Sequence, residues 1–185
     1  MSGEVKVEEL RLGDQLTTLS GVPAIVRWIG RRKVTRKFAD PMRALPIRIK
    51  AGALDDKSPS RDLFVSPDHA IFLDDILIQA GALVNGVSII RDLDAPPEFN
   101  YHHIEADKHV LIFAEGVAAE TFVDNLDRMA FDNWEEHLAL YPNGNPIAEL
   151  PYPRAKAHRQ VPISVREKLA ERAAALYGAR ISTAA

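Results

Sequence analysis

Short apolar runs broken by turn residues fill the first two thirds of the chain, and that texture predicts β-strands joined by tight connections. Val5-Lys6-Val7 alternates, Gly13-Asp14 marks a turn and Leu16-Thr17-Thr18 restarts an extended segment, so this stretch reads as strand, turn, strand. Further strand-length runs follow at Ala24 to Gly30, Leu45 to Ile49, Leu63 to Val65, Ala70 to Leu73, Ile76 to Ile78, Val87 to Ile90 and Val110 to Phe113. Asp74-Asp75 fits a hairpin turn, less ideally than Asp-Gly would, and Asn85-Gly86 marks another turn. Asn100 to Asp107 also reads as a strand, whose alternation sets His103 and Glu105 on one face and His102 on the other.

After Asp127 the texture changes. Met129 to Leu140 has helical spacing, with Phe131, Trp134, His137 and Leu138 available to one side. The proline-bearing stretch from Tyr141 to Pro153 reads as a linker or an irregular packed arm. Val161 to Arg180 predicts a helix, with Ser164 and Glu167 as a capping box and Gly178 near the stop. Its stripe of Val165, Leu169, Ala173 and Leu176 suits docking on the domain or on a second copy of it. Its polar face mixes signs, unlike that of a membrane-surface helix. Periodicity alone thus predicts a mostly β fold followed by helix.

Composition narrows the function. A chain of 185 residues holds one ordinary domain and an appendage. A net charge of −3 gives no general attraction for nucleic acid or acidic lipid. The basic cluster Arg31-Arg32-Lys33 with Arg36-Lys37 reads as a solvated loop or edge strand, where such charges discourage edge pairing. No apolar run approaches the ~20 residues of a membrane span, and the first residues lack the apolar core of a signal peptide. The expectation is a cytoplasmic setting unless the chain belongs to a larger secreted precursor, with no nucleic-acid or membrane partner. Cysteine is absent, which excludes disulfides, thiolate metal sites and a cysteine nucleophile within these residues. No Gly-rich phosphate loop or G-x-S-x-G elbow supports a nucleotide-binding or conventional hydrolase reading.

The candidate chemistry lies in Ser66-Pro67-Asp68-His69, which sets a hydroxyl and an imidazole three residues apart at a strand end. Such a pair can bond a peptide group and pass it a proton near neutral pH. Pro67 stiffens the turn, and Asp68 is expected to be exposed. Three more imidazoles, His102, His103 and His109, crowd the later segment. His103, Glu105 and His109 could form a facial metal triad, although scattered ligands of this kind are a weak zinc signature. Satisfied histidines and a proton-transfer role are the alternatives, and neither a metal nor a cofactor is expected.

The run RDLFVSPDHAIF…LIQAGALVNG, preceded by VRWIGRR and followed by YHHIEADKHVLIFAEG, resembles the Hedgehog/intein (Hint) domain family in its bacterial form. The similarity extends over Val5 to Asn125, and Val7 to Asp14 matches a V-E-x-L-x-x-G-D element of that family. It implies a horseshoe-shaped β domain over residues 1–126 and a helical extension over 127–185. It also implies autoprocessing, in which a Cys or Ser attacks the preceding carbonyl and turns an amide into a thioester or ester. The upstream segment of the same polypeptide is then the substrate. Ser66 would bond the scissile peptide group and His69 would protonate the departing amine. Tyr101 and His109 repeat the Tyr-to-His spacing of a late motif whose histidine assists the later step, and His103 of that segment is a further candidate. The family's nucleophile heads a strand well upstream of L-x-x-G-D, and neither Leu10's position nor Ser2 leaves room for it. The expectation is therefore a domain inactive as written, or else a degenerate Hint module for binding or assembly, self-associating through the C-terminal helix.

Overall fold

The computed structural model describes residues 3–123 and 128–178. Its strands are β1 (Gln15–Leu16), β2 (Ala24–Thr35), β3 (Ile47–Ile49), β4 (Leu63–Val65), β5 (Ala70–Leu73), β6 (Ile76–Gln79), β7 (Ile89–Arg91), β8 (Glu98–Ala106), β9 (Leu111–Ala114), β10 (Val117–Glu120) and β11 (Arg154–Ala155). The α-helices are α1 (Pro41–Ala44), α2 (Trp134–Leu140) and α3 (Ile163–Tyr177). Three sheets form, with strand orders β1-β2-β8, β4-β3-β7 and β11-β6-β5-β10-β9. A mostly β fold with a C-terminal helix is what the periodicity predicts.

Turn chemistry sets the strand pairing. Asp74 and Asp75 adopt φ of 47° and 62°, the double left-handed geometry whose twist suits a two-residue hairpin. Glu115 and Gly116 do the same between β9 and β10, at 51° and 78°. At Asn85 one side-chain oxygen accepts from the backbone N–H groups of Val87, Ser88 and Ile89, and so locks the approach to β7.

Three local expectations give way. Val5 to Val7 forms no strand; Val7–Glu9 is a 3-10 turn closed by Glu9 N–H on the Lys6 carbonyl. Alternation without a neighbouring edge to pair with yields to a local hydrogen bond. The basic cluster is exposed as expected, with Arg31, Arg32 and Lys33 on a part of β2 paired along one side with β8 and with Arg36 and Lys37 in the 3-10 turn Arg36–Phe38. Its other edge is covered by the Asp132 and Asn133 side chains, which accept from the Lys33 and Arg31 N–H groups. Because those two residues serve β2, the helix expected from Met129 begins only at Trp134, and Leu138 is exposed. Helix α3 starts after Pro162 with no side-chain cap, which puts Ser164 already inside its first turn. The predicted end holds, since Gly178 is left-handed at φ 64° and its N–H reaches the Ala174 carbonyl.

The main core joins both parts of the chain. Ile47, Ile49, Ile71, Ile78, Leu83 and Ile89 pack with Ala155, Val161, Val165 and Leu169. The apolar stripe of α3 is thus docked on its own domain, with Leu176 left half-exposed. A smaller aromatic cluster unites Trp28 and Phe122 with Phe131. The 126/127 boundary, Ser2, Asn125 and Arg180 lie outside the described residues.

Candidate active site

His69 is held by backbone bonds on both sides. Its N–H closes the turn on the Ser66 carbonyl at 3.1 Å, and its own carbonyl accepts from Ala80 N–H at 2.9 Å. Gly81 N–H meets the Pro67 carbonyl at 2.9 Å, and a Cβ at Gly81 would lie 3.2 Å from that oxygen. A glycine there lets the 3-10 turn Ala80–Leu83 clamp the loop. The His69 ring then faces that of His103 on β8, with centroids 6.0 Å apart. Phe131 and Phe122 pack edge-on against His103, at 5.0 and 6.3 Å.

Between the imidazoles lies a cavity of about 90 Å³, lined by Asp68, His69, Gln79, His103, Glu120, Thr121, Phe122, Val123 and Lys156. The Glu120 carboxylate takes a 2.8 Å bond from Arg154 Nη2 and stands 3.3 Å from His109 Nε2. Leu150 N–H donates to His109 Nδ1 at 2.9 Å, so the neutral ring carries its proton on Nε2, toward Glu120. Arg154 Nε lies 3.3 Å from Glu149.

Burial shapes the charges. It pulls the His69 pKa below the ordinary histidine range, with Glu120's charge opposing. His103 is driven down to about 3, by burial first and then by the neighbouring charges of His69 and Arg32. At Glu120 burial pushes upward, yet the bonds to His109 and Arg154 together with the Arg154 charge win, and it is held at about 2. The resting site therefore presents neutral imidazoles beside a fixed carboxylate.

The structure brings His69 and His103 together and sets His109 one layer behind them, through Glu120. Ser66 contributes its carbonyl to the turn but does not line the cavity. Asp68 is exposed at the mouth, as expected. His103, Glu105 and His109 do not converge. Glu105 is fully buried against His137 at 3.1 Å and accepts from Asn145. Among the described residues no cluster of three His, Asp or Glu side chains could hold a metal.

With this geometry in view, comparison with known families is decisive. The Hint domain model matches residues 1–125. The chain belongs to the Hint domain family. Searches of curated proteins and of solved structures gave no match. His69, His103, His109 and Glu120 all fall within the Hint match, whereas Arg154 and Lys156 lie beyond it. Sequence reasoning missed Glu120, Gln79, Arg154 and Lys156. Glu120 closes an apolar run, where a buried carboxylate could have been suspected. Arg154 and Lys156 follow a proline-rich arm that gives no sign of where it docks.

Proposed function

We propose that this Hint domain rearranges or cleaves a peptide bond of its own polypeptide, with the cavity between His69 and His103 as the reaction centre. The observation that carries this reading is the pair of neutral imidazoles, 6.0 Å apart, beside an ionised Glu120. In this reading the three sheets wrap as the Hint horseshoe, with residues 127–185 as an appended segment. A thiol or hydroxyl from an upstream strand attacks the carbonyl carbon of the scissile amide and gives up its proton to His69. Collapse of the tetrahedral adduct breaks the C–N bond, and His69 returns that proton to the departing amine. An ester or thioester is left behind. Burial sets the order, since a His69 that rests neutral must accept before it donates. The Glu120 carboxylate favours the imidazolium formed in between, and holding both partners in one chain lowers the entropic barrier. Ser66, which does not reach the cavity, would act by shaping the turn.

The test is the intact mass of the chain carried behind a Cys-headed upstream strand, with and without added thiol. Thiol-dependent release of the upstream segment is expected, slowed by about 100-fold or more in His69→Ala. A precursor that stays intact under thiol and hydroxylamine would sink the reading. One observation favours an alternative: the side chains that line the cavity include no thiol, and the Thr121 hydroxyl oxygen already accepts from Val110 N–H. A degenerate Hint module would then serve binding or assembly, with the exposed Ile163 and Leu176 of α3 as its contact surface.

A further inference from the structure

We propose that Arg154 is a positioning residue of this site, fixing Glu120 between His109 and the cavity, so that residues 149–156 complete a centre begun by the Hint-matched residues. The proposal rests on the autoprocessing reading above and extends it to a segment that the family match does not include. Four contacts support it. Arg154 Nη2 donates to Glu120 Oε2 at 2.8 Å, with the arginine side chain only 18% exposed. Leu150 N–H fixes the His109 tautomer at 2.9 Å, and Glu149 pins the far side of Arg154 at 3.3 Å. Lys156 reaches the cavity mouth.

The segment is anchored independently of these side chains. Arg154 and Ala155 pair in parallel with Leu77 and Ile78, and Leu77 N–H donates to the Pro153 carbonyl. Tyr152 packs at a tilt against Phe72, with ring centroids 4.6 Å apart, and Ala155 is buried in the main core. A cation held in this way presents Nη2 to Glu120 at little entropic cost while Nε faces Glu149. The groups facing Glu120 are Arg154 from β11, His109 from the turn before β9, His69 from the turn before β5 and, across the cavity, His103 and Lys156. Arg154 touches no reacting atom. It acts by keeping the carboxylate charged and aimed, which orients His109 and favours a charged His69 during proton transfer.

The experiment follows the Glu120 carboxyl and the histidine ring nitrogens by NMR across pH in the intact chain. It needs no cleavage, so it stands even if autoprocessing fails. In the unaltered chain Glu120 should titrate well below ordinary carboxylates, and His109 should show its proton on Nε2. In Arg154→Gln the Glu120 titration should move up by about 1–3 pH units, with Arg154→Lys restoring most of the difference. If the upstream fusion cleaves, Arg154→Gln should also displace the acid limb of its pH–rate profile, and Arg154→Lys should recover it. An ordinary Glu120 titration in the unaltered chain overturns the proposal without any variant. An Arg154→Gln chain that folds with Glu120, His69 and His109 unmoved overturns it too. A fusion that never cleaves, while the NMR changes occur as described, sinks autoprocessing and leaves the positioning role of Arg154 standing.

Discussion

At the scale of single residues, glycines mark the places where two elements must approach closely. Gly30 lies on β2 beneath the Trp28 ring, and a Cβ there would sit 2.7 Å from Trp28 and 2.9 Å from Phe131. The missing side chain is what lets Phe131 reach the edge of His103 and Trp28 at once, with ring centroids 5.0 and 5.3 Å away. Gly30→Ala should therefore destabilise the fold by about 1–3 kcal/mol, as overpacking in a dense interior does. The shift in urea midpoint measures it, and an unchanged midpoint would show that the aromatics can slide apart freely. Histidines show the converse lesson. Four of them look alike in sequence, yet His103 faces the cavity, His109 backs it, His137 pairs with Glu105 and His158 meets the Ala82 carbonyl.

At the scale of elements, the helical extension is tied to the sheet by polar anchors as well as by apolar contact. His137 of α2 lies 3.1 Å from Glu105 on β8, both essentially buried, and its ring also packs on Trp28 and Tyr141 at 5.0 and 4.9 Å. Removing one partner of such a pair takes a hydrogen bond from the other in the interior. His137→Ala should cost about 2 kcal/mol. Hydrogen exchange should then quicken in α2 and along the Arg31–Lys33 edge that Asp132 and Asn133 cover. If protection there is unaltered, the extension is held by α3 alone. The edge coverage also explains why a strand rich in arginine and lysine is tolerated, for its open N–H groups are occupied within the chain.

At the scale of the molecule, pH is the variable that the buried site exposes. A histidine whose folded pKa lies below its unfolded value of 6.5 contributes stability that is complete above 6.5. That stability is lost as pH falls through the window down to the folded value, about 3 for His103. Between pH 7 and 5 this one imidazole should cost the fold about 2 kcal/mol. His69 works in the same direction. Glu120 adds a later loss, from its ordinary 4.5 down to about 2, once its bonded carboxylate takes up a proton. Urea unfolding of His103→Gln at pH 7, 6 and 5 should show a flatter dependence than the unaltered chain. Equal slopes would mean that His103 is charged in the fold. No helix among the described residues is long and apolar enough to cross a membrane.

The sequence by itself determined what local chemistry determines. Most of the apolar runs became strands, though Val5 to Val7 did not, Asp74-Asp75 became a hairpin turn, Gly178 stopped the last helix, and the spaced Hint motifs identified the family. His69 and His103 were legible as candidates because a loop histidine at a strand end and an alternating strand both leave local signatures. Tertiary structure alone decided that Ser66 does not line the cavity, that Glu120 is buried, and that Arg154 arrives from a proline-rich arm to bond it. It also decided that Asp132 and Asn133 end a helix early in order to satisfy a strand edge. The physical reason is the same in each case. Hydrogen bonds and ion pairs between residues far apart in sequence depend on how the chain closes in space, and hydrophobic period carries no record of them.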